Sequence, residues 1–295
     1  MDYKFHYHPA KNWMNDPNGL TYFNNKFHIY YQYNPLGNSW GNIVWGHAIT
    51  SDFINYKEET IILNTDKDYD KDGCFSGNSI IIDDTLYIYY TSVKNNKQTQ
   101  SVAYSKDGFK FVKYDKNPII DTPFEARDPY VFLYNSELYM LIGTDKKALL
   151  YKGSNPFEFN YVSDLININE FIECPNLIKI NDKYLFKYSS MIDRKDHFYL
   201  GSFDGLHFIK EKEVILNLPK NYYASQMFKY NDMVILIGWI FNDNYKTDKA
   251  YNGVLSIPRI IYLENELVKT KPFKTLEKYL ENNIIIDNDI VEEFK

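Results

Sequence analysis

The chain has 295 residues, a net charge of −6 and two cysteines. That length allows two ordinary domains or one large all-β domain. The negative balance, with no Lys/Arg block, argues against a nucleic-acid partner, no apolar stretch is long enough to span a bilayer, and the distant Cys74 and Cys174 suggest no disulfide framework.

Met1 is followed by Asp2-Tyr3-Lys4 with no apolar run of the signal-peptide kind, so a cytoplasmic protein is expected. His6-Tyr7-His8 is the one close His pair. Strand alternation would put both rings on one face, but no third ligand is near and no metal site is expected. No Gly-rich phosphate loop occurs, and no cofactor is expected.

Trp13-Met14-Asn15-Asp16-Pro17-Asn18-Gly19 comes next. Pro17 fixes its own φ and holds Asp16 extended, and Asn-Gly is a turn-forming pair. Alone, the segment reads as a surface turn with a solvated acid. Arg127-Asp128-Pro129 and Glu173-Cys174-Pro175-Asn176 repeat its design, an acid followed by Pro at once or one residue later. Three acids in matching contexts point to one shared site.

Short apolar and aromatic runs fill the chain between these markers. Phe27 to Tyr33 and Ile43 to Ile49 come first. Ser79 to Ile82 and Leu86 to Tyr90 flank Asp83-Asp84. Later pairs flank Asn135-Ser136, Asn181-Asp182 and Asn231-Asp232. β-branched and aromatic residues around such pairs predict hairpins. Asp16, Ser76, Asp128, Glu173 and Tyr223 recur at intervals of roughly 50 residues, each ahead of two apolar runs and a turn. That period, with about four strands per unit, predicts an all-β, five-bladed β-propeller over residues 1–271. Matching positions of successive blades would then meet at one end of the central channel. A β-sandwich is the competing fold, and it leaves the repeated acid-plus-Pro unexplained. In the tail, 272–295, apolar residues at 273, 276, 279 and 280 predict a short helix around 273–281, and Ile284-Ile285-Ile286 one further strand.

Tyr31-Gln32-Tyr33-Asn34-Pro35, Trp45-Gly46-His47-Ala48, Phe75-Ser76-Gly77, Tyr223-Ala224-Ser225-Gln226 and Gly238-Trp239 stand in order with the three acidic segments. Over residues 6 to about 280 the whole string resembles glycoside hydrolase family 32, the invertase and fructanase group. The resemblance implies a five-bladed propeller and retaining hydrolysis of terminal β-fructofuranosyl linkages. It implies Asp16 as nucleophile, Glu173 as acid/base and Asp128 as transition-state stabiliser. Such chemistry needs two carboxyls roughly 5–5.5 Å apart, one ionised to attack and one protonated to donate. By the same carry-over Asn15, Gln32 and Ser76 would bind sugar hydroxyls, and Trp13, Trp40, Phe75 and Trp239 would wall the sugar. Arg127 is either a sugar contact or an ion-pair partner, and Trp45 and His47 are read as structural.

Asn221 stands where the family usually has an acid, and is expected at the sugar without a charge. Asn78 and Ile240 replace Ser/Thr and Met. The family's C-terminal β-sandwich has no counterpart, so the face it would cover is expected to be polar, capped by the tail or buried in a homo-oligomer. The implied substrate is a small sugar: sucrose, sucrose 6-phosphate or a short fructo-oligosaccharide. Fructosyl transfer on the same site, an inverting five-bladed pentosidase and a non-catalytic sugar-binding propeller stay open at this point.

Overall fold

A computed structural model describes residues 5–286 and 289–294 of the chain. Its strands are β1 (Asn12–Phe23), β2 (Lys26–Asn34), β3 (Val44–Thr50), β4 (Tyr56–Leu63), β5 (Gly73–Ile82), β6 (Thr85–Lys94), β7 (Lys97–Ser105) and β8 (Val112–Lys113). They continue with β9 (Ala126–Tyr134), β10 (Glu137–Asn155), β11 (Glu158–Ile180), β12 (Lys183–Ser190), β13 (Asp196–Phe203) and β14 (Phe208–Val214). The last are β15 (Tyr222–Tyr230), β16 (Met233–Ile240), β17 (Tyr251–Asn252), β18 (Val254–Leu255), β19 (Arg259–Glu264), β20 (Leu267–Pro272), β21 (Leu280–Ile286) and β22 (Asp289–Phe294).

The predicted hairpins form where the turn pairs stand. Both residues of Asp83-Asp84 and Asn135-Ser136 have positive φ, as do Asn181 and Asn231 of the later pairs. Two such residues match the twist of the flanking strands, and Asn and Asp tolerate the conformation. Antiparallel meanders follow: β1 to β4, β5 to β8, β9 to β14, and β15, β16, β19 and β20 with β18 alongside β16.

The sheets stand around a channel as a β-propeller. β1 packs on β5, β5 on β9, β9 on β11, β11 on β15, and β15 back on β1. Each sheet buries both faces, which is why runs such as Val44–Thr50 are buried throughout. The ring closes through the chain ends. β17 pairs in parallel with β1, Asn12 opposite Tyr251, and the Leu255 amide donates to the Tyr7 carbonyl at 2.8 Å.

Five four-stranded sheets were expected, and the ring holds four, one of them six-stranded. The difference lies in two long strands. β10 pairs with β9 through Glu137–Thr144 and with β11 through Asp145–Asn155. β11 gives its first part, to Phe171, to β10 and its second, from Ile172, to β12. β11 runs as one strand through both units, with an irregular stretch of pairing between Asn167 and Phe171.

The tail also departs from expectation. The helical spacing yields one 3-10 turn, Glu277–Tyr279. Phe273 and Leu276 are buried, and Phe273 joins Phe27, Phe53 and Phe228 in the core between the first and last sheets. Docking onto the propeller sets these residues' spacing. The expected strand at 284–286 is present in β21, which pairs with β22. Among the described residues no helix is long and apolar enough to cross a membrane.

Candidate active site

Every innermost strand carries a register shift at the same depth: Met14/Pro17 in β1, Cys74/Gly77 in β5, Arg127/Tyr130 in β9, Glu173/Asn176 in β11 and Tyr223/Gln226 in β15. A bulge bends its strand and re-aims the side chains on it. Here the bulges turn Asp16, Ser76, Asp128, Glu173 and Tyr223 toward one mouth of the channel. Proline suits these places because a bulge releases its residue from the ladder hydrogen bonds. Asp128, Cys174 and Ala224 have φ of 63°, 45° and 50°, a region that non-Gly residues occupy sparsely and that clusters at functional sites.

The mouth opens into a cavity of about 510 Å³. Trp13, Asn15, Asp16, Gln32, Trp40, Phe75, Arg127, Asp128, Glu173 and Trp239 all line it. Asp16 Oδ1 accepts the Asn15 amide at 3.0 Å. Its Oδ2 accepts Ser76 Oγ at 2.6 Å, Gln32 Nε2 at 3.4 Å and Cys174 Sγ at 3.7 Å. Asn15 is itself oriented by Trp13 Nε1 at 2.8 Å and by its bond to Gln32 Oε1, also 2.8 Å. Asp128 Oδ2 accepts the Cys174 amide at 2.8 Å and its thiol at 3.5 Å. Cys174 Sγ therefore lies between two carboxylates from different sheets.

Glu173 is gripped from both sides. Its Oε1 accepts Arg127 Nε at 3.2 Å and Nη2 at 3.0 Å, and its Oε2 accepts the Tyr223 hydroxyl. Arg127 also pairs with Glu125 and lies over the Phe171 ring at 3.9 Å. Arg127 thus forms ion pairs and also lies on the cavity wall, so both of its sequence readings have a counterpart here.

Burial pushes the Asp16 carboxyl up, and the Glu173 charge adds to this. The bonds from Ser76 and Asn15 and the Lys187 cation oppose the rise. Burial raises Asp128 to about 7; Arg127 lowers it, while Glu173 and Asp16 raise it further. Tyr223 is pushed up by burial and by the Glu173 charge, so it remains a proton donor.

Two expected sugar ligands stand elsewhere. Ser76 lies beneath the cavity rather than on its wall, with its hydroxyl on Asp16. Asn221 is outside the lining, and its Nδ2 donates to the Phe241 carbonyl at 2.6 Å. An amide with a backbone partner at that distance braces a loop. The aromatic residues separate by depth. Trp13 and Trp239 are buried and packed edge to face with centroids 5.5 Å apart, whereas Trp40, 57% exposed, leans on Phe75 at the rim. Trp45 and His47 are fully buried, as a structural role requires.

Sequence reasoning missed Ser39, Gln98, Glu125, Arg194 and Tyr245 on the wall. Arg194, from the turn after β12, lies over the Tyr223 ring at 4.0 Å, and its Nη2 donates to the Tyr245 hydroxyl at 3.1 Å. Gln98 stands at the start of β7, Tyr245 ends a 3-10 turn and the other three sit in connecting segments, with no repeated spacing among them. Only Glu125, beside the Glu125-Ala126-Arg127-Asp128 run, carried a local signal. Among the described residues no group of three or more His, Cys, Asp or Glu is arranged to hold a metal.

The propeller mouth gathers carboxyl groups, amides and aromatic rings in one cavity, the side chains that acid–base and nucleophilic chemistry use. Residues 6–272 match the Glycosyl hydrolases family 32 N-terminal domain, and the chain belongs to that family. It is 30% identical to a levanase of Bacillus subtilis over 94% of this chain and 48% of the levanase. It is also 30% identical to a sucrose-6-phosphate hydrolase of Escherichia coli, over 80% of this chain and 56% of that protein. The chain thus spans about half the length of the curated relatives it matches. Among solved structures, the Bombyx mori GH32 beta-fructofuranosidase in complex with sucrose superposes with a TM-score of 0.84 at 26% identity, over 95% of this chain and 67% of that one.

Proposed function

We propose that this chain hydrolyses terminal β-D-fructofuranosyl linkages with retention, in sucrose, sucrose 6-phosphate or short fructo-oligosaccharides. The observation that carries the reading is the meeting of Asp16, Asp128 and Glu173 from three inner strands around one cavity, two of them touching Cys174. Asp16 is the nucleophile. Four donors converge on it, and hydrogen bonds to a carboxylate favour the ionised form that attack on the anomeric carbon needs. Glu173 protonates the leaving oxygen and then deprotonates the attacking water, with Arg127 and Tyr223 fixing its orientation. Asp128 accepts hydrogen bonds from ring hydroxyls, which strengthen as positive charge develops on the furanose. The names of the relatives above, levanase and sucrose-6-phosphate hydrolase, and the sucrose complex of the Bombyx mori enzyme support the substrate class.

The same reading counts five blades, the six-stranded sheet being two units joined through β11. β10 doubles back at Lys146, whose φ is 66°, so that Lys152 reaches Glu137 at 2.6 Å. Among the described residues an apolar core fills each of five junctions, and one junction lies within the six-stranded sheet, with Tyr130, Leu141 and Leu150 against Leu177, Phe186 and Tyr199. A repeated Asx turn supports the count. Asp52, Asp107, Asn155 and Asp204 each accept a backbone amide two residues on.

The test is fructose release from sucrose, sucrose 6-phosphate, kestose, inulin and levan, with the anomer of the first-formed fructose followed by NMR. Release as the β-anomer, abolished in Asp16→Asn with its thermal melt unchanged, is the expected result. Release as the α-anomer would overturn retention, and an active Asp16→Asn would overturn the nucleophile.

A further inference from the structure

Beneath the carboxylates lies a cation to which the proposed chemistry gives no role. Lys187, on β12, is completely buried. Its ammonium donates to the Ser225 carbonyl at 2.6 Å, to Ser189 Oγ at 2.7 Å and to the Cys174 carbonyl at 3.4 Å. Its counter-ion is Asp196 on β13, Nζ to Oδ1 3.4 Å, with neither side chain exposed. Asp196 accepts Ser189 Oγ at 2.6 Å and the Ser225 amide at 2.9 Å. Stability alone accounts poorly for such a pair, because desolvating two charges costs about what their attraction returns, and apolar replacements are often neutral or better.

What the network holds is more telling. The two carbonyls belong to the bulges of neighbouring inner strands, Glu173-Cys174 in β11 and Tyr223-Ala224-Ser225 in β15. Both bulges contain a non-glycine residue at positive φ, Cys174 and Ala224, a conformation that persists only where the surroundings over-determine it. Across those two bulges the Tyr223 hydroxyl meets Glu173 Oε2.

We propose that Lys187 is a positioning residue for the hydrolysis, which locks the bulges bearing Glu173 and Tyr223 into one rigid unit and supplies the buried positive charge under the carboxylates. The proposal rests on the reading of Asp16 and Glu173 given above. The charged and titratable groups that act on Lys187 are Asp196 on β13, Asp16 on β1 and Cys174 on β11. Of these Asp196 is the direct counter-ion. Lys187 favours the ionised form of Asp16, and it opposes the upward push that burial and nearby carboxylates give the Cys174 thiol.

The test follows kcat and KM for fructose release from sucrose against pH in wild type, Lys187→Met and Asp196→Asn. Lys187→Met should lower kcat by roughly 10- to 100-fold, the scale of a small misplacement of a catalytic group, with KM changing far less. Its acid limb should move to higher pH, because ionising the carboxylates loses a favourable charge. Asp196→Asn removes a negative charge and keeps an acceptor for the Ser225 amide, so its acid limb should move to lower pH. Opposite displacements support the proposal. A passive brace would lower both activities and leave the acid limb where it is, and that result overturns it. Should Lys187→Met fail to fold, Asp196→Asn decides alone, an unmoved or raised acid limb counting against the proposal. Wild-type turnover and an inert Asp16→Asn are a separate control on the reading of the site, so its failure and an unmoved acid limb are distinct results.

Discussion

Two rings of side chains line the channel on the same five inner strands, two residues apart, and they do different work. The upper ring is Asp16, Ser76, Asp128, Cys174 and Ala224, each on a bulge. The lower ring is Asn18, Asn78, Tyr130, Asn176 and Gln226, where the ladders resume. Polar groups of the lower ring are turned onto neighbouring backbone. Asn78 bonds both the amide and the carbonyl of Val131, at 2.7 and 2.9 Å. Asn176 accepts the Met227 amide at 2.7 Å. Gln226 accepts the Leu20 amide and donates to the Gly77 carbonyl, each at 2.9 Å. Each of these three amides fastens its inner strand to another. In the upper ring, Asp16 and Asp128 are bonded by side chains and one amide instead, and remain on the cavity wall. Fastening and chemistry are thus separated by a single step of the pleat.

The sharpest way to break this division is Asp16→Asn. Activity on sucrose should fall by roughly four orders of magnitude or more, the scale for losing a nucleophile, while the melting temperature stays put. A large loss of stability would mean that the upper ring also fastens. Glu173→Gln comes next. The loss on sucrose should be within roughly 10²- to 10⁴-fold, and far smaller on a fructoside with an acidic phenol as leaving group, which needs little protonation. Equal losses on both substrates would remove Glu173 from the proton-donor role. The reverse pattern is expected of the lower ring. Asn78→Ala leaves the buried Val131 amide without its partner, a cost of about 1–3 kcal/mol. The melting temperature should drop by a few degrees with kcat/KM close to wild type; a catalytic defect without destabilisation would contradict the assignment.

This contrast also explains what the sequence made legible. Asp16, Asp128 and Glu173 were readable because an acid beside or one residue before Pro is uncommon and recurs at the same point of three of the five units. The amides two residues later stand in the same strings, Asp16-Pro17-Asn18 and Cys174-Pro175-Asn176, yet they were absorbed into the motif and given no role. An amide at a fixed offset after four of the five bulges was the signal available. Hairpins were legible from paired Asn and Asp, which tolerate positive φ. The merging of two units through β11 was not, because Asn167 to Glu170 look like a turn and only hydrogen bonding decides whether the strand continues. Ser76 and Asn221 were assigned to the sugar by type and position. Which partner a hydroxyl or amide chooses depends on neighbours from other sheets, Asp16 in one case and Phe241 in the other. Lys187 was invisible for a related reason: within Leu185-Phe186-Lys187-Tyr188 it reads as the exposed face of a strand, and its counter-ion is on the next one.

The last expected effect concerns Asp128, where the needs of the chemistry and of the fold conflict. Its carboxyl is raised to about 7, chiefly by burial. Between the ordinary Asp value and that one, the folded protein holds a proton that the unfolded chain has released. Asp128 therefore contributes most to stability at low pH, where both forms are protonated, and the contribution is lost as pH rises through 7. Above that point the site keeps a buried anion at a cost to the fold. Asp128→Asn removes the charge and retains an acceptor for the Cys174 amide, so it should melt several degrees above wild type at pH 8. The gap should narrow steadily toward pH 4, even though the variant turns over poorly at every pH. Melting temperatures of the two proteins across that range are the measurement. A gap that stays constant with pH would mean that the substitution acts through packing, and that the Asp128 charge carries no such cost.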